Sequence, residues 1–335
     1  MMQEPAPQPA ANGLRPSLDP ARVSSVAPAL AGQPRRNLDR VISDLRESRD
    51  VTHNIRHGGV ARRLPSRTAV AEIVNGITTA LFPTHYGQPD LNDDIDGFVR
   101  GKLKTALTQL EEQTRLSLPL AMSGEASALA AAGRIAHDVV GEFASQLPEI
   151  RAALVSDLRA AHENDPCTAS IPEILLGHPG MVAIICYRIA RALYLLGVPF
   201  IARLVTLIAH SRTGIEIHPG ADIGENFSIH HGTGIVIGDT AIIGRNVRLC
   251  QNVTLGASRP HPGQDNLALR GAARHPLIED DVFIFAGATL LGRITVGKGS
   301  VIGGNVWLTH SVPPRSCIMP PQTTGPRNTA VNGQA

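Results

Sequence analysis

The thirteen histidines are unevenly placed along the chain. Those that lie in or beside one stretch and could do chemistry are His210, His218, His230, His231, His261 and His275. A histidine can be held structurally at a bend, can bind a metal, or can act as a general base beside a carboxylate. For any single one, such as His218 or His210, the structural role is the leading interpretation. His230 and His231 are neighbours that would point to opposite faces of a strand, so they form a poor metal site.

The catalytic role has a partner available in the sequence. Glu216 lies fifteen residues before His231. A carboxylate can fix the tautomer of an imidazole and stabilise the imidazolium that forms when the ring takes a proton. Whether the two side chains meet depends on the elements that carry them.

Those elements repeat every six residues from Ile217 to about Val312. Each repeat begins with a large aliphatic residue, and there is one two-residue slip before Ile237 and one interruption before Ile278. The fourteen aliphatic positions are Ile217, Ile223, Ile229, Ile235, Ile237, Ile243, Leu249, Leu255, Ile278, Ile284, Leu290, Val296, Ile302 and Leu308. The residue four positions later is usually small or aliphatic, as in Ala221 and Thr233, and Phe227 is the large exception.

A period of six fits neither an α-helix, whose faces recur at 3.6 residues, nor a long flat strand. It predicts a solenoid in which each repeat is one short strand and one bend. An ordinary β-rich domain with a chance periodicity is the weaker alternative. With about 18 residues per coil, Glu216 is predicted to stack on Gly234, close to His231.

The interruption at 257–277 has no six-residue register and contains Pro260, His261, Pro262 and Gly263. A solenoid accepts such an insertion only as a loop thrown out from one corner. Long loops on rigid scaffolds often carry function, so this loop is a candidate part of the site.

The segments before and after the solenoid differ from it in composition. Residues 1–35 are rich in Pro, Ala, Gln and Ser and are predicted to be a disordered tail. Residues 313–335 are predicted to be a C-terminal tail. Between 36 and 210 the pattern is helical. One helix should bury the apolar stripe Ile135, Val139, Phe143, Leu147, Ile150, Leu154 and Leu158.

The most apolar segment, 178–210, is interrupted by Arg188, Arg191 and Arg203, which favours packed amphipathic helices over a membrane span. The predicted class is α+β, with an α-helical domain at 36–210 followed by a parallel β-helix at 211–312.

Composition excludes some classes of function. A net charge of +2 and 3% aromatic residues give no basic patch or stacking platform for nucleic acid. Four widely spaced cysteines without a CxxC pair indicate neither a zinc knuckle nor a disulfide framework, so a cytoplasmic protein is expected. Glu4, Asp19 and the lack of an apolar core in 1–35 speak against a secretory signal, although an organellar transit peptide stays open.

Six short segments, taken in order, make the chain resemble the serine O-acetyltransferases, hexapeptide-repeat acyltransferases whose fold is a left-handed parallel β-helix. They are Asn-Asp-Pro at 164–166, His-Pro-Gly at 178–180, and the segments 213–219, 231–238, 253–256 and 274–276. The resemblance covers roughly 147–312. It implies acetyl transfer from acetyl-CoA to the hydroxyl of L-serine, for cysteine biosynthesis, without a metal.

The resemblance also implies residue roles. His231 matches the histidine that removes the proton from the serine hydroxyl, and Glu216 matches the acidic residue that orients it. The implied serine contacts are Asp165, Pro166, Arg274 and His275. The implied coenzyme A contacts are Gly256, Ala257 and Ala286.

One position departs from the family. His230 stands where the family usually has the Asp that precedes the catalytic histidine and helps to hold the serine ammonium. A neutral His230 could still accept a hydrogen bond from the ammonium. The alternative function is acetyl transfer to a sugar or other small hydroxyl acceptor, and a third is a non-catalytic scaffold. The pair Asp165-Pro166 argues against acetyl transfer to a sugar. The presence of Glu216, His231 and Arg274 argues against a scaffold without catalytic activity.

The resemblance finally implies partners. Relatives form homotrimers or dimers of trimers with sites between subunits, and cysteine inhibits them as the end product. Many dock a C-terminal isoleucine into O-acetylserine sulfhydrylase. This chain has Ala335 in place of that isoleucine, so less apolar surface would be buried on docking. Gly333 adds a conformational entropy cost when the tail becomes ordered. No tight complex through the tail is therefore expected. No membrane partner is expected.

Overall fold

The computed structural model describes residues 34–48, 63–87, 94–121, 126–168, 170–258 and 272–321. The chain divides into two compact units, Met1–Arg62 and Arg63–Ala335. In the first unit the described part is helix α1 (Pro34–Glu47). The predicted N-terminal tail therefore lies outside the described residues except for its last two positions, which are helical. The predicted C-terminal tail is described only as far as residue 321.

Seven helices are described in the second unit. They are α2 (Arg67–Leu81), α3 (Pro83–Tyr86), α4 (Ile95–Ala121), α5 (Ala126–Asn164), α6 (Ile171–Gly177), α7 (Pro179–Leu195) and α8 (Pro199–Thr213). Ser66 and Ser170 cap α2 and α6 by accepting hydrogen bonds from the N–H groups three residues on. Gly214, at φ +69°, ends α8 in the left-handed conformation that glycine adopts without strain.

The predicted stripe lies on α5. Phe143, Leu147, Ile150, Leu154 and Leu158 are buried, whereas Ile135 and Val139 are half-buried near the start of the stripe. The apolar segment 178–210 forms α7 and most of α8, which pack against each other and against the β-helix. Among the described helices none is long and apolar enough to span a membrane alone. The pair α6 and α7, bent by 71°, passes that test of length and composition together.

The solenoid is a parallel β-helix of fourteen short strands. They are β1 (Glu216–Ile217), β2 (Asp222–Ile223), β3 (Ser228–His230), β4 (Val236–Ile237), β5 (Ile242–Ile243), β6 (Arg248–Cys250), β7 (Thr254–Gly256), β8 (Leu277–Ile278), β9 (Phe283–Ile284), β10 (Thr289–Leu291), β11 (Thr295–Val296), β12 (Val301–Ile302), β13 (Trp307–Leu308) and β14 (Cys317–Ile318). Sheet A contains β1, β4, β7, β10 and β13; sheet B contains β2, β5, β8 and β11; sheet C contains β3, β6, β9, β12 and β14.

All fourteen predicted aliphatic residues are buried, which confirms the inward-facing stack. Two details of the register were predicted wrongly. Glu216 pairs with Val236 and not with Gly234. Thr233 is exposed, and Ile235 takes the buried corner position two residues before Ile237. Both differences arise because the two-residue slip enlarges the corner between β3 and β4 and leaves the strands unchanged.

The insertion leaves the solenoid after β7 of sheet A and returns before β8 of sheet B. Its described ends, 257–258 and 272–276, therefore lie at the corner between these sheets, which we call the A–B corner; the corner between sheets C and A is the C–A corner. The rest of the predicted loop, 259–271 with His261, lies outside the described residues. The strand pairing of β14 with β12 continues the solenoid past the predicted end at Val312.

A buried ion pair joins the helices to the first coil. Arg188 on α7 donates to both carboxylate oxygens of Asp157 on α5 at 3.0 Å. It also donates to the carbonyl oxygens of Ile223 and Gly224, while Asp157 accepts from the N–H of Phe227. Asp157 is fully buried, so loss of either partner would leave an uncompensated charge between helices and β-helix.

Candidate active site

The C–A corner carries His231. This residue is exposed, has a left-handed φ of +58°, and makes no hydrogen bond or ion pair to any described residue. Gly232 follows at φ +90°, and a Cβ there would come within 2.5 Å of Ile215. The N–H of Gly234 donates to the carbonyl of Gly214 at 2.8 Å, which ties the corner to the end of α8. The enlarged corner therefore lifts the His231 imidazole out of the regular coil and leaves both ring nitrogens free.

Asp165 and His230 lie beside that corner. Asp165 follows α5; its carboxylate accepts from the Thr168 hydroxyl at 2.8 Å and from the Cys167 N–H at 2.9 Å. These bonds, the one from Thr168 first, lower the pKa of Asp165. Burial lowers the pKa of His230, although the charge of Asp165 opposes that shift. An ionised carboxylate therefore faces a neutral imidazole at neutral pH.

The segment His-Pro-Gly at 178–180 lies where helix α7 meets strand β3. A Cβ on Gly180, near the start of α7, would lie 2.8 Å from the carbonyl oxygen of Ile229 on β3. Only glycine permits this approach. His178, which precedes α7, is close enough to affect the pKa values of Asp165 and His230. Pro166 is exposed in the turn after Asp165.

Glu216 begins β1, next to the C–A corner. Its N–H donates to the carbonyl oxygen of Ile235 at 2.9 Å. Its carboxylate does not contact His231 in the described structure, and its Oε1 lies 3.5 Å from the guanidinium of Arg203 on α8. Both residues border the C–A corner, but their predicted proximity and side-chain contact stay predictions.

The A–B corner holds His275 and Arg274. His275 is only 6% exposed and lies directly on Gly238, where a Cβ would clash with the ring. Its Nδ1 accepts from the N–H and the hydroxyl of Thr240 at 3.1 and 2.9 Å, which places the ring proton on Nε2. The Thr240 hydroxyl accepts from the N–H of Arg274, and Arg293 donates to the carbonyl of His275. Burial and then the charge of Arg274 lower the pKa of His275.

His218 belongs to the same corner. Its Nδ1 accepts from the N–H of Gly220 at 3.0 Å and lies 2.9 Å from Asp239 Oδ1. Burial lowers its pKa more than Asp239 raises it. The structural role favoured from the sequence fits these contacts. Asp239 and Thr240 were missed, and their position next to Gly238 in the repeat was the signal that could have found them.

The residues implied to bind coenzyme A do not share one corner. Ile229, Leu249 and Ile284 are in register on sheet C. His231 and Ala286 each lie two residues further on, so both are at the C–A corner. Gly256 and Ala257, at the end of β7, are at the A–B corner instead. Within one chain the candidate residues thus form two groups on either side of sheet A.

The four cysteines, all described, are free thiols. In the described ranges no three His, Cys, Asp or Glu side chains are grouped so that they could hold a metal ion.

Comparison with known proteins gives consistent results. Residues 275–310 match the bacterial transferase hexapeptide (six repeats) family. A plasmid-encoded serine acetyltransferase of Synechococcus elongatus is 49% identical over 259 residues, which is 76% of this chain and 81% of that protein. The serine acetyltransferase of Bacillus licheniformis is 45% identical over 50% of this chain and 73% of its own length.

Solved structures agree. Serine acetyltransferase 1 of Entamoeba histolytica, in complex with L-cysteine, superposes with a TM-score of 0.65 at 31% identity over 77% of this chain and 88% of that chain. Isoform 3 from the same organism, in complex with cysteine, gives 0.64 at 29% identity over 79% and 85%. These similarities confirm the predicted helical region followed by a left-handed parallel β-helix, and the chain belongs to the serine acetyltransferase family.

Proposed function

We propose that the chain transfers the acetyl group of acetyl-CoA to the hydroxyl of L-serine, giving O-acetyl-L-serine, with His231 as general base. The arrangement at the C–A corner carries this proposal. It presents the exposed imidazole of His231, with free ring nitrogens, next to His230, whose ring interacts electrostatically with the carboxylate of Asp165. The serine acetyltransferase of Synechococcus elongatus, similar over most of its length, supports the choice of reaction.

The chemistry follows from these groups. His231 removes the proton of the serine hydroxyl as the oxygen attacks the thioester carbonyl carbon. The tetrahedral intermediate then collapses, and the imidazolium returns the proton to the leaving thiolate of coenzyme A. Glu216 stabilises the imidazolium and fixes the ring tautomer. The thioester itself supplies the activated acetyl group.

The acceptor is held by charge at both ends. Asp165, whose pKa is lowered, binds the ammonium, and the neutral His230 accepts one further hydrogen bond from it. Arg274, exposed at the A–B corner, binds the carboxylate through two hydrogen bonds. Cysteine carries the same ammonium and carboxylate, so it competes for these groups; two similar Entamoeba enzymes are solved with cysteine bound.

A complete site needs two copies of the chain. His231 and Ala286 are at the C–A corner, whereas Arg274, His275 and Gly256 are at the A–B corner. In a cyclic trimer the C–A corner of one subunit can face the A–B corner of the next, as a heterologous interface repeated around the ring. The acetyl-CoA arm then lies in the groove between subunits. Two such trimers pair in the proposed hexamer.

A second acceptor class is favoured by one observation. His230 stands in the ammonium site and carries no negative charge. A small hydroxyl acceptor without an ammonium, such as a sugar, would tolerate this position better than serine does.

The test is thiol release from acetyl-CoA with a panel of acceptors: L-serine, L-threonine, L-homoserine, glycerol and a hexose. Serine-dependent release that disappears in His231→Ala supports the proposal. Release only with the hexose or glycerol favours the second class. No acceptor-dependent release from the folded oligomer would contradict both.

A further inference from the structure

We propose that Arg203 is a positioning residue for catalysis, which holds the carboxylate of Glu216 so that it can orient His231. The inference rests on the proposed function, because it assigns Arg203 a role in the same reaction. Arg203 comes from helix α8, outside the repeats that carry the other candidate residues.

The contact between the two side chains is specific but incomplete. Arg203 Nη2 lies 3.5 Å from Glu216 Oε1, and each side chain is about one-third exposed. In the described structure Glu216 Oε2 has no partner. Each carboxylate oxygen can accept two hydrogen bonds. Arg203 therefore anchors one oxygen and leaves the other free for the imidazole N–H of His231.

The guanidinium has one unused donor as well. Arg203 Nη1 is buried and has no hydrogen-bond partner among the described residues. A buried donor without a partner is costly, so its presence calls for a reason. The nitrogen belongs to the same planar fork as Nη2, so a small rotation of Glu216 would bring the carboxylate within reach of both nitrogens, while Oε2 could still accept a second hydrogen bond from His231.

The backbone makes Arg203 a rigid support. α8 ends at Gly214, whose carbonyl accepts from the N–H of Gly234, and Glu216 donates to Ile235. The helix that carries Arg203 is thus hydrogen-bonded, through its last residues, to the corner that carries His231. A glutamate has three rotatable side-chain bonds, so a fixed cation is needed to hold its carboxylate at one place.

The other polar groups nearby have contacts of their own. His218 Nδ1 lies 2.9 Å from Asp239 Oδ1, and Arg191 is paired with Asp222 at 3.5 Å. In the described ranges Arg203 is the cation that makes an ion pair with Glu216. Arg191 supplies a matched control, because it is also an arginine that reaches from a helix to the first coil across the same distance.

The experiment measures kcat and KM for serine and acetyl-CoA in the full-length oligomer carrying Arg203→Met, Arg203→Lys, Glu216→Gln, the double change Arg203→Met with Glu216→Gln, and Arg191→Met. We expect Arg203→Met to lower kcat about tenfold with both KM values within about twofold of the wild type. Arg203→Lys should recover part of the loss. In the Glu216→Gln background, Arg203→Met should cause no further loss, because its effect passes through the carboxylate. Arg191→Met should retain the wild-type kcat.

Other outcomes overturn the inference. A kcat unchanged in Arg203→Met, a loss additive to that of Glu216→Gln, or an equal loss in Arg191→Met would show that the arginine only joins helix to coil. Thermal unfolding checks every variant, and Arg203→Gln replaces the methionine variant if that one fails to fold. A wild-type enzyme without serine-dependent thiol release would instead refute the proposed function, so the two failures are distinguishable.

Discussion

The two corners on either side of sheet A both carry histidines, but the imidazole rings are hydrogen-bonded to the chain at one corner and not at the other. At the A–B corner, His275 and His218 each accept a backbone hydrogen bond at Nδ1. At the C–A corner, the rings of His230 and His231 make no hydrogen bond to a described residue. The A–B rings are therefore fixed by the fold at Nδ1, while the C–A rings are available to a substrate. Histidine content alone does not distinguish these two cases; the hydrogen bond to Nδ1 does.

The largest expected effect is at the C–A corner. His231→Ala should lower kcat by roughly 10²–10⁴, the usual contribution of a general base. Because His231 has no partners in the described structure, the thermal unfolding midpoint should stay unchanged. Steady-state kinetics and calorimetry check the two halves of this prediction. His310→Ala, at an exposed histidine on the last coil, is the control and should match the wild type.

The next effect belongs to the exposed arginine of the A–B corner. Arg274→Ala should raise KM for serine and the inhibition constant for cysteine together, each by about 10–100-fold, as expected for one lost charged hydrogen-bonding group. Inhibition and saturation curves on one preparation measure both. If only one of the two constants changes, serine and cysteine occupy different sites. Arg245→Ala, an exposed arginine elsewhere, is the control.

A smaller effect is expected on the unfolding free energy when Thr240 at the A–B corner is replaced. The Thr240 hydroxyl accepts from the N–H groups of Arg274 and His275, at 2.9 and 3.2 Å. Thr240→Val leaves both donors without that partner and should cost about 1–3 kcal/mol of unfolding free energy. Denaturant unfolding measures it, with Thr295→Val as the control. Equal stability of the two variants would mean that the Thr240 hydroxyl does not help to fix the A–B corner.

The smallest effect concerns His230. His230→Asp should lower KM for serine several-fold, because it adds a charge to the ammonium site. The pH dependence follows from the lowered pKa of His230: the wild-type ring is neutral at neutral pH and gains charge only as pH falls through that pKa. Serine KM should therefore rise on the acid side in the wild type, and less so in the variant. A wild-type KM independent of pH there would contradict the placement of His230 beside the ammonium.

The sequence was sufficient for the solenoid because each aliphatic position has one physical role. All fourteen residues point inward, so the period itself defines the core. The position of the slip was harder. Two extra residues can enlarge a corner or shift a strand, and only the strand pairing of Glu216 with Val236 shows that they enlarge the corner.

The candidate site was predicted residue by residue, but its division between two corners was not. Sequence order places Arg274 after His231, yet it does not show which side of a triangular coil each one occupies. The supporting contacts were also missed. Arg188 and Arg203 were interpreted as interruptions of an apolar segment, whereas Arg188 forms the buried pair with Asp157 and Arg203 contacts Glu216.

The most direct test of a site built from two corners is complementation between subunits. Differently tagged chains carrying His231→Ala and Arg274→Ala are co-expressed, and oligomers with both tags are purified and assayed for serine-dependent thiol release. If neighbouring copies share each site, every mixed trimer has one site of three with both corners intact, so about a third of the wild-type activity returns, or about a quarter if mixed dimers of trimers are purified. If both corners of a site come from one chain, no intact site can form, and at a serine concentration far below the raised KM of Arg274→Ala the mixed oligomers show no more activity than the two single variants.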